Sequence, residues 1–154
     1  MLQNLKHEKG QYFTENIYLQ DTVYNLIKNN PEIILEPSVG RGDLVSYIHS
    51  KNMKIKFDCY EIDDSIDFII DKKNIHISDF LEVKIDGKYN TIIGNPPYVR
   101  TTSGNLYIDF ISKCVDLLEH NGELIFIVPS DFLKLTSSRG VLNHMMTVGT
   151  FTDI

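Results

Sequence analysis

The chain has 154 residues, 42% of them hydrophobic and 23% charged, with a formal net charge of −6 at pH 7. This suits one globular domain with a single core and argues against disorder of the whole chain. The charge argues against strong stand-alone DNA affinity: no basic stripe is present, and the densest cluster, Asp58, Glu61, Asp63, Asp64, Asp67 and Asp71, is acidic and reads as a solvated face.

Apolar runs such as Leu124 to Val128 are too short to cross a bilayer, and Met1 to Gly10 has no signal-peptide core. No membrane partner is expected, and the expected compartment is cytoplasmic. Cys59 and Cys114 lie far apart without a CxxC partner, so they read as buried structural thiols. The five histidines show no ligand spacing, and no metal site is expected.

In chain order, Glu15 to Asn29 carries Ile17, Leu19, Val23, Leu26 and Ile27 close to a helical stripe, stopped by Asn29-Asn30-Pro31. Ile33 to Leu35 is a short strand, followed by a glycine-bearing loop from Ser38 to Gly42. Asp43 to Lys51 reads as a helix, Ile55 to Ile62 as a second strand, and Ser65 to Ile70 as helical. Ile75 to Ile77 and Tyr89 to Ile93 read as strands three and four. Thr101 to Asn105 is a polar loop, and Leu106 to Glu119 an amphipathic helix closed by Asn121-Gly122. Glu123 to Val128 is a fifth strand, Ser130 to Met146 a broken helix, and Phe151 to Ile154 a sixth strand. This alternation predicts an α/β fold, a mostly parallel sheet with helices on both faces. Ligands of such sheets bind at the carboxyl ends of the strands.

The unusual residues collect at those ends. Glu36-Pro37-Ser38-Val39-Gly40-Arg41-Gly42 follows the first strand and opens a helix, where glycines let a ligand approach the main chain. Glu61 ends the second strand about 20 residues later, where an acid holds the ribose hydroxyls of an adenosine cofactor. The pair fits a nicotinamide dinucleotide and S-adenosylmethionine equally. Asp79 and Phe80 add an acceptor for a purine amino group and a ring for its face. Asp79 serves equally well as a helix N-cap and Phe80 as a core residue.

Gly94-Asn95-Pro96-Pro97-Tyr98 is the most informative stretch. Two prolines at a strand end fix φ and remove two donors, leaving a rigid arm of acceptors: the Asn95 side-chain oxygen and main-chain carbonyls. Gly94 leaves room for a ligand, and Tyr98 offers a stacking surface. The arm suits a planar amino group, whose delocalised lone pair makes it a poor nucleophile. Acceptors at Asn95 Oδ1 and the Pro96 carbonyl, holding both N–H bonds, favour a localised lone pair able to attack a sulfonium methyl in line.

With these residues in place, the sequence resembles the amino-methyltransferases of the S-adenosylmethionine Rossmann-like superfamily. More narrowly, it looks like the gamma-class adenine-N6 DNA methyltransferases of restriction–modification systems. Gly10-Gln11-Tyr12-Phe13-Thr14 looks like the family's N-terminal cofactor motif, which implies Tyr12 and Thr14 at the cofactor. The loop implies Glu36 near the methionine part, with Ser38, Gly40 and Gly42 beside it. Glu61, with Ile62 next to it, matches the ribose-binding position; Asp79 and Phe80 match the pair at the cofactor adenine. Asn95, Pro96, Pro97 and Tyr98 match the catalytic motif, with Asn95 also touching the cofactor site. Gly122 to Phe132 resembles a later strand and turn.

The resemblance implies S-adenosyl-L-methionine as cofactor, DNA as partner, and an adenine flipped out of the duplex onto Asn95 and Tyr98. It also implies a seventh strand, a later aromatic residue and a target-recognition domain. None is visible in residues 1–154, so the expectation is an incomplete catalytic domain that lacks its C-terminal part and relies on a target-recognition domain or subunit elsewhere. Three other readings stand beside this one: a methyltransferase acting on protein glutamine or RNA adenine, an inactive cofactor-binding module that needs a partner, and a nicotinamide-dependent oxidoreductase.

Overall fold

The structure, a computed structural model, describes residues 13–102 and 104–154. Its frame is a sheet of β1 (Ile33–Glu36), β2 (Lys56–Glu61), β3 (Ile75–Ile77), β4 (Tyr89–Gly94) and β7 (Leu118–Phe126). The strand order is β3-β2-β1-β4-β7, and every pairing is parallel. The order reverses beside β1, so the crevice at the carboxyl ends of β1 and β4 is the topological switch point. Between β4 and β7 lie β5 (Arg100–Thr101) and β6 (Gly104–Asn105), a small antiparallel hairpin in the segment expected to be a polar loop.

Helices cover both faces because adjacent strand residues point opposite ways. Ile34 and Ile93 pack with Val23 of α1 (Ile17–Leu26) and with Leu44 and Ile48 of α2 (Asp43–Lys51). Leu35 and Ile92 pack with Phe110 and Cys114 of α3 (Leu106–Asp116) on the opposite face. These four strand residues are fully buried, each stabilising the fold by about 1.5–3 kcal/mol. Residues Arg139–Val148 form α4, which packs through Val141 against Tyr107 and Ile111 of α3. Two short 3₁₀ turns, Phe132–Lys134 and Thr136–Ser138, precede it. Both cysteines are free and buried.

Some local features differ from the sequence pattern. Ile17 and Leu19 are exposed, and α1 instead buries Gln20 and Val23. Ser65 to Ile70 forms no helix: Asp63 holds the Ser65 N–H at 3.0 Å, and the Ile69 N–H donates to the Arg41 carbonyl at 2.9 Å instead of one turn back. Phe151 to Ile154 is exposed and pairs with no strand among the described residues, so the sheet has five strands.

Gly42 starts α2 with φ at 94°, and a Cβ there would meet Ile70 Cγ1 at 2.6 Å. Its role is therefore steric. Gly42→Ala is expected to lose about 1–3 kcal/mol in urea unfolding. Gly87→Ala, with open space around it, should stay within about 0.5 kcal/mol.

Candidate functional site

A cavity of about 500 Å3 opens at the carboxyl ends of β1, β2 and β4, bordered by Ser38, Gly40, Glu61, Asp79, Phe80 and Asn95. Ile62 and Pro97 also line it. Thr14 and Glu36 line a smaller adjoining space of about 20 Å3, which shares Ser38, Gly40 and Asn95 with the larger one. Most of the site residues expected from sequence thus converge.

Three do not meet the cavity in the expected way. Gly42 lies behind the loop, against Ile70. Pro96 is fully buried and is not among the residues that line either space. Tyr98 directs its hydroxyl to Asn95, packs at a steep angle against Tyr107 with ring centroids 5.9 Å apart, and is not among the residues that line the cavity. Tyr12 lies outside the described residues.

The buried Glu61 carboxylate organises the loop. Its Oε2 accepts from Gly40 N–H at 2.9 Å, and its Oε1 accepts from Ile62 and Asp63 N–H, both at 2.9 Å. Above the loop sits Phe13, whose ring would be 3.1 Å from a Cβ at Gly40. Arg41 fastens this arrangement: it forks onto Asp43 at 2.7 and 3.2 Å, reaches Glu15 at 3.0 Å and lies 5.4 Å from the Phe13 ring centroid.

Glu36 ends β1 with 2% exposure and accepts from Ser38 N–H at 3.0 Å. Burial pushes its carboxyl up to about 8; the Ser38 N–H opposes this and the nearby Glu61 charge adds to it. Gly94 makes room for this carboxylate, not for a ligand: a Cβ at 94 would lie 3.1 Å from Glu36 Oε1 and 3.1 Å from Phe126. The Ser38 hydroxyl is buried beside the Glu36 carboxyl and, like the Ser38 N–H, opposes the upward shift.

After β3, Asp79 Oδ1 accepts from Leu81 N–H at 2.9 Å, a turn cap of the kind its sequence position allows. Phe80 is buried between Phe110, stacked at 5.5 Å, and the edge of Tyr60. It is at once a core residue and a wall of the cavity. Lys113, on α3, donates to the carbonyls of Phe80 (2.5 Å), Leu81 (3.2 Å) and Val83 (2.5 Å), and its ammonium lies 4.7 Å from the Phe80 centroid. One cation thus shapes the whole turn. Nothing local in the sequence marks Lys113, because Phe80 precedes it by 33 residues.

At the end of β4, Asn95 Nδ2 donates to Thr14 Oγ1 at 3.2 Å. The Tyr98 hydroxyl lies 2.5 Å from Asn95 Oδ1 and 2.9 Å from the Ile127 carbonyl. Having one proton, it serves one of these acceptors at a time. The Asn95 amide is thus held at both ends on the rim of the cavity. Phe13, Asp63 and Phe110 line the cavity too, without having been marked by sequence.

The family model described as Eco57I restriction-modification methylase matches residues 5–154. The chain belongs to this family. It is 33% identical over 148 residues to the modification methylase CviBIII of Paramecium bursaria Chlorella virus NC1A, covering 81% of this chain and 39% of that protein. It is 29% identical over 179 residues to the type II methyltransferase M.HincII of Haemophilus influenzae, covering 100% of this chain and 34% of that protein. The chain therefore spans about a third to two-fifths of the length of these relatives. Among solved structures, an S-adenosylmethionine-dependent O-methyltransferase from Thermotoga maritima superposes with a TM-score of 0.65 at 14% identity, over 93% of this chain and 54% of that one. A type I restriction-modification methyltransferase subunit from Streptococcus thermophilus gives 0.64 at 13% identity, over 91% of this chain and 39% of that one. The fold is that of the S-adenosylmethionine-dependent methyltransferases. No helix among the described residues is long and apolar enough to cross a membrane.

Between 4.5 and about 8 the folded chain keeps a proton on Glu36 that the unfolded chain has released. Stability should therefore fall as pH rises through this window. Glu36→Gln keeps the size and the acceptor oxygen but cannot titrate. Urea unfolding at pH 5 and pH 8 should show a smaller loss at pH 8 for the variant than for the wild type; equal losses would mean that Glu36 does not hold that proton.

Proposed function

We propose that this chain is the cofactor-binding and catalytic part of a DNA methyltransferase that moves a methyl group from S-adenosylmethionine to the N6 amino group of adenine. The observation that carries the reading is the Asn95-Pro96-Pro97-Tyr98 arm, with Asn95 and Pro97 on the rim of the cavity that Glu61 and Asp79 also line.

The residues present fit the cofactor. A cavity of about 500 Å3 is in the range that holds small-molecule cofactors. Its acidic lining suits a cationic ligand rich in hydrogen-bond donors. Glu61 would hold the ribose hydroxyls, Asp79 the purine amino group, and Glu36 with the loop main chain the amino-acid end. A carboxylate offers about four lone-pair directions, and Glu61 already spends three on main-chain amides. Holding both hydroxyls therefore requires release of at least one amide. When bound, the cofactor supplies an electrophilic methyl group on a sulfonium.

The chain's own task is to prepare the acceptor. Asn95 Oδ1 and the Pro96 carbonyl accept the two N–H bonds of the adenine amino group, which localises its lone pair. The prolines keep those acceptors from rearranging, so the interactions strengthen as the nitrogen becomes tetrahedral. The base must leave the duplex stack to reach them. Choice of DNA sequence, and most of the grip on phosphates, belongs to protein outside these 154 residues, in keeping with the net charge of −6.

The test is transfer of labelled methyl to unmethylated duplex DNA, single-stranded DNA, RNA and a protein extract, followed by digestion. Label in N6-methyldeoxyadenosine, abolished by Asn95→Ala, is expected. Label in RNA or in glutamine instead would replace the substrate, and cofactor binding without label in any acceptor would reduce the chain to a module that needs a partner.

A further inference from the structure

We infer that Lys113 is a positioning residue for the Asp79 carboxylate, and that through it Lys113 sets how strongly the site prefers a ligand with a purine amino group. The inference rests on the reading of Asp79 as the acceptor of that amino group.

The segment that joins β3 to β4 contains no helix, so its carbonyls have no regular partners. Main-chain acceptors at a packed surface need donors from elsewhere. Lys113 supplies them from α3, one turn beyond Phe110 and next to buried Cys114. An ammonium has three N–H donors and no acceptor. Three carbonyls meet this one: Phe80 at 2.5 Å, Leu81 at 3.2 Å and Val83 at 2.5 Å. A group that only donates leaves no second way to read these bonds. All three donors are occupied by the turn, so Lys113 acts on a ligand only through that turn.

On the other side of the same peptides stands Asp79. The C=O and N–H of a peptide group point opposite ways. The Phe80–Leu81 peptide gives its carbonyl to Lys113 and its N–H to Asp79 Oδ1 at 2.9 Å. The Leu81–Glu82 peptide gives its carbonyl to Lys113 and its N–H to the Asp79 carbonyl at 3.1 Å. Two successive peptides are therefore clamped between the ammonium and residue 79. The clamp holds Asp79 by its main chain and by its side chain, and so aims a carboxylate that borders the 500 Å3 cavity beside Phe80. The same ammonium lies 4.7 Å from the Phe80 ring centroid, so one group fixes both the acceptor and the ring. Without Lys113 both peptides are free to turn. The Leu81 N–H then leaves Oδ1, and the carboxylate samples rotamers that do not face a purine amino group. What Lys113 contributes is preorganisation of the acceptor.

The experiment is calorimetric titration of the whole chain with S-adenosylhomocysteine and with its analogue in which hydrogen replaces the purine amino group. The wild type is expected to prefer S-adenosylhomocysteine by about 10- to 100-fold, the effect of one hydrogen bond to a charged acceptor. Lys113→Met keeps an apolar stem and removes the donors. It should reduce the preference by about tenfold or more, weakening S-adenosylhomocysteine while the analogue binds nearly as before. Lys113→Arg keeps the charge, but its planar fork cannot serve three carbonyls gathered around one point. It should give an intermediate preference, and it provides the same reading if the neutral variant does not fold. Asp79→Ala should abolish the preference, and Lys113→Met added to it should leave the ratio of the two affinities unchanged. Equal weakening of both ligands in the Lys113 variants, with the preference intact, would make the clamp purely structural and overturns the inference alone. A wild type that binds the two ligands equally overturns the reading of Asp79, and the inference with it.

Discussion

The carboxylate of Glu61 accepts three main-chain N–H groups, one from the loop after β1 and two from its own strand end. Main-chain donors survive every substitution except proline, so this knot ties the glycine loop to β2 through the main chain and not through the loop's side chains. Phe13 and the Arg41 fork onto Asp43 and Glu15 then have a fixed surface to close over. The site thus rests on an acid that joins its own strand end to a loop distant in sequence: Gly40 and Glu61 lie 21 residues apart. Parallel strands make this possible, because they bring loops from separate crossovers to one edge.

Two polar groups then shape opposite parts of the cavity. Lys113 gathers three carbonyls of the turn that carries Phe80, and so sets the wall at that end. Thr14 and Tyr98 hold Asn95 at the other. Both arrangements stand on elements already fastened by apolar packing, α3 through Phe110 and Cys114 and α1 through Val23. Packing provides the rigidity, and the hydrogen bonds convert it into direction.

Much of this was legible in the residue pattern. Helix α2 runs from Asp43 to Lys51 as its apolar spacing requires, and the glycine loop, Glu61, Asp79 and Asn95 all stand at strand ends. What could not be read depended on partners remote in sequence. Ser65 to Ile70 has apolar residues enough for a helix, yet the Ile69 N–H finds the Arg41 carbonyl. Along α1, Ile17 and Leu19 are exposed while polar Gln20 is buried, its amide satisfied by the Thr14 carbonyl. The Tyr98 hydroxyl lies beside Asn95 Oδ1 and the Ile127 carbonyl, the latter 29 residues away and unmarked by any local pattern.

Gly94 and Glu36 touch at the place where the strand order reverses, with 3.1 Å between the carboxylate oxygen and the point a Cβ would occupy. The two positions are therefore committed to each other. A side chain at 94 would press on both Glu36 and Phe126, each 3.1 Å from the point a Cβ would occupy, and each would have to give by a few tenths of an ångström. Change at any one of these positions therefore presses on the others, even though 36 and 94 belong to different motifs.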